Sequence, residues 1–79
     1  MKVLFFGISK DIVGQRELSN FVVHNNETVE SILERLKADY PDLSKISSLA
    51  ISVNQKYADI TTIVKKNDVI ALIPPVSGG

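Results

Sequence analysis

The sequence predicts an α+β domain in which one amphipathic helix packs on one mixed β-sheet. Three observations lead there. A helical apolar stripe occupies the middle of the chain, short β-type runs lie on both sides of it, and the first and last of those runs are apolar at nearly every position. At 79 residues the chain has room for a single domain. A domain this small buries only about 60% of the surface its unfolded chain exposes. That leaves little material for a deep catalytic cavity and favours a protein that presents something to a partner.

Lys2 to Phe6 is a short apolar run with aromatics and reads as the first strand. Gly7 to Gly14 holds Ser9, Lys10 and Asp11 and has space for one helical turn before Gly14 interrupts it. Leu18 to His24, centred on Phe21, Val22 and Val23, reads as a second strand closed by an Asn25-Asn26 turn. Thr28 is a good N-cap, and Glu30 suits the positive end of the helix dipole. Val29, Ile32, Leu33, Leu36 and Tyr40 then share one helical face, and Pro41 ends the helix.

Asp42 to Ser48 reads as a polar connection. Leu49 to Val53 and Lys56 to Ala58 read as a hairpin about Asn54-Gln55, and Ile60 to Val64 is apolar but short. Lys65 to Asp68 reads as a turn with Asn67 in the left-handed region, before a last strand from Val69 to Ile73. The expected order is β-β-α-β-β-β. With the first and last strands central and adjacent, it describes a β-grasp, or ubiquitin-like, roll. The domain is expected over residues 1–73, with 74–79 as a flexible tail.

Nine basic and nine acidic side chains give zero net charge, and the longest basic run is Lys65-Lys66. This balance argues against nucleic acid or an anionic membrane as partner. No segment reaches the ~20 apolar residues that span a bilayer. With no cysteine, the chain has neither thiolate metal ligands nor a cysteine nucleophile. The expected location is the cytoplasm. His24, the one histidine, has no second ligand near it in sequence, so no metal site is expected.

A single helix covers one face of a sheet, and the other face should alternate to polar. The first and last strands do not alternate. Val3 and Phe5 oppose Leu4 and Phe6, while Ile70 and Leu72 oppose Val69, Ala71 and Ile73, and both sets are apolar. The second face is therefore expected to meet a partner protein.

Pro74-Pro75 holds the chain extended as it leaves the last strand, and Ser77-Gly78-Gly79 carries almost no side-chain bulk. Five residues from Pro75 reach up to about 17 Å, enough to enter a narrow channel in another protein. Glycine allows close approach to a reactive centre. Two terminal glycines arise by composition alone in roughly one chain in 200. The signal therefore rests on the whole context of apolar strand, double proline and bulk-free end.

Ile73-Pro74-Pro75-Val76-Ser77-Gly78-Gly79 closely resembles the terminal signature of the small subunits of molybdopterin synthase, the MoaD-type sulfur carriers. The opening Lys2 to Gly7, Gly14, the hairpin Ile51 to Tyr57 and the run Asp68 to Leu72 also resemble that family. Lys10-Asp11 and Lys66-Asn67-Asp68 depart from its common Arg-Glu and Asp-Gly-Asp.

The resemblance implies that an E1-like activating enzyme adenylates the Gly79 carboxylate with ATP. Sulfur then replaces the adenylate as a C-terminal thiocarboxylate, with Gly78 beside it. The tail next enters the synthase large subunit, within a heterotetramer, and gives its sulfur to a cyclic pyranopterin precursor in molybdenum cofactor synthesis. The carrier itself would hold no cofactor, and the chemistry would sit in the large subunit. By the same resemblance Phe6, Tyr57 and Ile73, with Pro74, Pro75, Val76 and Ser77, contact the large subunit. Two alternatives stay open: a carrier for another pathway (thiamine thiazole synthesis or lysine-linked protein modification), and a β-grasp interaction domain whose tail is inert.

Overall fold

A computed structural model describes residues 1–75. Five strands form one mixed sheet: β1 (Lys2–Phe5), β2 (Glu17–Leu18), β3 (Ala50–Val53), β4 (Lys56–Tyr57) and β5 (Val69–Ile73). Two α-helices, α1 (Gly7–Val13) and α2 (Val29–Asp39), and a 3-10 helix at Pro41–Lys45 complete the described elements. The sheet order is β2-β1-β5-β3-β4. β5 therefore sits at the centre, parallel to β1 and antiparallel to β3. The expected β-grasp arrangement, with first and last strands adjacent and central, is present.

The registers explain how the two faces diverge. Val3 aligns with Ile70, and Phe5 with Leu72, which in turn aligns with Ile51. All five are buried under Val29, Ile32 and Leu36 of α2. Thr28 caps that helix by accepting from the Ser31 amide at 3.2 Å. The next two free amides, of Val29 and Glu30, donate to the carbonyls of Thr62 and Ile60 at 2.9 Å each. The apolar 60–64 stretch therefore serves mainly to close the helix start, with Val64 buried in the core.

Several expectations are corrected. α1 spans seven residues rather than one turn. Ser9, fully buried, bonds the Phe6 amide and carbonyl through its hydroxyl, and Gly14 at φ 81° ends the helix. Phe6 is thus the residue that caps α1 and not the last residue of β1. The second strand stops at Leu18, because Ser19-Asn20 turns the chain. Phe21 then exchanges two bonds with the backbone of Met1, and the following residues through His24 form no strand.

The 42–48 connection is partly helical, since Leu43 is driven into the core. Asn67 has no positive φ. Asp68 closes that turn instead, by accepting from the Lys65 amide at 2.8 Å and donating its own amide to the Lys65 carbonyl at 3.0 Å. Left-handed geometry falls elsewhere, and includes Asn54 (φ 52°) and Gln55 (φ 72°) of the hairpin turn.

Candidate functional site: an open apolar sheet face at the root of the tail

The sheet face away from α2 carries Leu4 from β1, Ser52 from β3, Tyr57 from β4, and Val69, Ala71 and Ile73 from β5, with Phe6 at its edge. One row crosses all five strands: Tyr57, Ser52, Ala71, Leu4, Glu17. Ser52 and Ala71 form the floor and are only 8% and 6% exposed. Phe6 at 50% and Tyr57 at 78% stand up at the margins. Leu4, Val69 and Ile73 are half-buried. The face is therefore a hollow with small residues in the middle and large apolar ones around it. Among the described residues, no carboxylate, amine or imidazole lines it. Such a face is suited to recognising apolar surface.

The predicted contact residues Phe6, Tyr57 and Ile73 are thus brought onto one face. Sequence alternation had already placed Leu4, Val69 and Ala71 with them. Ser52 was missed; the signal was the small pair Ala50 and Ser52 at alternate positions of β3.

The tail leaves from the same place. The Phe6 amide donates to the Leu72 carbonyl at 3.3 Å, and Gly7 (φ 54°) lies under Pro74. A Cβ on Gly7 would meet the Pro74 ring at 3.6 Å. Pro74 is accordingly buried, whereas Pro75 is exposed. The tail root is fixed to the domain one residue beyond the strand. Val76, Ser77, Gly78 and Gly79 lie outside the described residues.

A second polar cluster lies on the helix side. Glu27 is buried and accepts from the His24 amide (2.9 Å), the Ser31 hydroxyl (2.8 Å) and the Arg35 guanidinium (2.8 Å). Arg35 also donates to the Val22 carbonyl and stacks on the Phe21 ring at 4.6 Å. Burial alone would raise the Glu27 carboxyl. The His24 amide, Arg35 and Ser31 more than offset it, holding the pKa below the usual glutamate range. This cluster ties the 21–27 loop to α2 and is structural. His24, exposed in that loop, meets Glu27 through its backbone, its amide donating to the carboxylate and its carbonyl accepting from the Glu27 amide at 3.2 Å.

A profile of the ThiS family matches residues 3–79. The chain belongs to the ThiS family. The ThiS-family match spans both the apolar face and the terminal glycines. Among relatives, the molybdopterin synthase sulfur carrier subunit of Caenorhabditis briggsae is 40% identical over 83 residues, covering 100% of this chain and 96% of that protein. The crystal structure of SAMP1 from Haloferax volcanii superposes with a TM-score of 0.87 at 26% identity, covering 100% of this chain and 98% of that one. The complex of subunits 1 and 2 of molybdopterin-converting factor from Helicobacter pylori contains a similar chain, with a TM-score of 0.65, 28% identity, and coverage of 99% and 96%. Within the described residues of this ThiS-family chain, no helix is long and apolar enough to cross a membrane.

Proposed function

We propose that this chain is the sulfur carrier subunit of molybdopterin synthase and that its reactive group is the Gly79 carboxylate. The observation that carries the reading is structural. Central strand β5 ends among the exposed apolar residues of the open face and continues through an anchored Pro74 toward Gly78-Gly79. The relatives named as sulfur carrier subunits, and the solved complex of a similar chain with a second subunit, support it.

A carboxylate is a poor acyl donor until it carries a better leaving group. An E1-like enzyme would transfer AMP from ATP to a Gly79 oxygen, with pyrophosphate leaving. A sulfur nucleophile would then displace AMP to give the thiocarboxylate. In the large subunit, that sulfur would form a new C–S bond on a cyclic pyranopterin in exchange for a C–O bond, and water would then cleave the Gly79 acyl C–S bond, leaving sulfur on the pterin and the chain as its carboxylate. Two such deliveries would complete a dithiolene. The open face supplies the grip, and the extended tail supplies the reach. We propose the cytoplasm as the site of this work.

The test is the intact mass of the chain after incubation with ATP, a sulfur donor and its activating enzyme, beside a chain lacking Gly79. A gain equal to exchanging one oxygen for sulfur, in the full chain alone, is expected. No gain, with an enzyme shown active on another carrier, would overturn the mechanism.

The likeness to small archaeal modifier protein 1 favours a second reading, attachment of Gly79 to lysines of other proteins. Gly-Gly remnants on lysines in tryptic digests of the native host, lost with Gly79, would support it.

A further inference from the structure

Phe6 and Leu4 line two hollows at once. On one side is the uncharged floor of Ser52 and Ala71. On the other is a shallow cleft that adds Gly7, Lys10, Arg16 and Glu17. Phe6 is therefore a ridge, and a protein that covers it must also cover or closely approach the second cleft. Lys10, from α1, and Arg16, just before β2, are both exposed.

Among the described residues, the ion pairs are Lys2–Glu17, Arg35–Glu27 and Lys45–Asp42, and neither Lys10 nor Arg16 belongs to one. Glu17, the one acid lining the cleft, is engaged by Lys2 at 3.9 Å and by the Ser19 hydroxyl at 2.7 Å. The cleft thus holds two cations and an acid already occupied with other groups. Covering the cations with apolar or basic surface would strip their water without return. Covering them with carboxylates would exchange water for charge-assisted bonds.

We infer that the surface of the large subunit that grips Phe6 is acidic beside that grip, with carboxylates facing Lys10 and Arg16. The inference rests on the large-subunit reading above and adds the chemistry of the partner. It also assigns the two cations a task distinct from that of the apolar hollow. They steer the encounter and fix the orientation of docking, whereas Phe6, Tyr57 and Ile73 hold the complex together.

The experiment is a titration of the cognate large subunit with the full chain, by calorimetry and by association kinetics, from low to high salt. Wild type is compared with a Lys10→Gln/Arg16→Gln double variant and a Lys10→Glu/Arg16→Glu double variant. Neutralisation should weaken low-salt binding about tenfold, and reversal about a hundredfold, with much of the loss in association rate. The gap should close as the Debye length shrinks from about 10 Å at 0.1 M to about 3 Å at 1 M. Thermal melts matching wild type show that the variants fold, and Tyr57→Ala should weaken binding while keeping the wild-type salt slope.

Double variants that bind within about twofold of wild type at low salt would overturn the inference. So would a loss that is the same at every salt, since it would mark the two side chains as apolar packing through their stems. If wild type itself fails to bind the large subunit, the proposed function falls. If wild type binds and the variants bind equally well, only the acidic counter-surface falls.

Discussion

Replacing Phe6 with alanine tests recognition at the open face while leaving the backbone bonds of residue 6 in place. A phenylalanine side chain removes on the order of 200 Å² from water when fully covered. Half of Phe6 remains exposed in the free domain. A partner that closes over it therefore removes about 100 Å², worth about 2.5 kcal/mol at about 25 cal/mol per Å². Phe6→Ala should then raise Kd for the large subunit about 70-fold.

The cost to the fold is smaller, because the Ser9 bonds to residue 6 use only its backbone. Calorimetric titration at a temperature well below the melt measures the effect, with Val22→Ala as control. Val22 is 61% exposed but lies away from the hollow, where its carbonyl accepts from Arg35. A Kd change under about threefold for Phe6→Ala, or an equal loss for Val22→Ala, would refute the argument that the open face carries recognition.

Two further predictions concern the scaffold. Glu27→Gln should cost about 1–2 kcal/mol, since hydrogen bonds to charged groups contribute about 1.5–3 kcal/mol and the partly solvated Arg35 limits the loss. Because the folded-state pKa of Glu27 is depressed, its contribution is full above the unfolded value of about 4.3 and is lost as pH falls through the folded value. Urea melts at pH 7 and at a pH well below that unfolded value should show the variant losing less stability on acidification than wild type. Gln55→Gly should raise stability by about 0.5–1 kcal/mol, because glycine adopts the left-handed geometry at that turn without the steric penalty of a Cβ. A thermal midpoint several degrees higher is the expected readout.

The parts that were legible in the sequence are those where a local signal and the tertiary demand agree. Thr28 followed by apolar residues at helical spacing gave α2. The two-faced apolar runs gave β1 and β5, and with them the open face. The rest depended on contacts far apart in sequence. Leu18 to His24 has strand composition throughout, but the Ser19-Asn20 turn limits pairing to two residues, and Phe21 packs instead beneath Arg35. α1 was underestimated because its cap is unusual: buried Ser9 reaches back to the Phe6 backbone. Leu43 looked like part of a polar loop because neither neighbour is apolar. Glu27 precedes its helix, and no local pattern links it to Arg35 eight residues later. On the open face, Ser52 became visible only when the register placed it opposite Ala71.

The division between the two sheet faces also constrains where the tail can be altered. β5 presents Ile70 and Leu72 to the core, and Val69, Ala71 and Ile73 to the open face. Its two flanking strands bond it along its length. It is both the most protected strand and the one that becomes the tail. A shift of one residue in its register would exchange its two faces, exposing Leu72 and burying Ile73. Because Phe6 and Gly7 bond and pack against Leu72 and Pro74, the slip would also move the tail root relative to the Phe6 ridge. The domain therefore couples the position of the tail root to the open apolar face. A partner seated on Phe6 and Tyr57 would meet the tail root, at Pro74, in a fixed place.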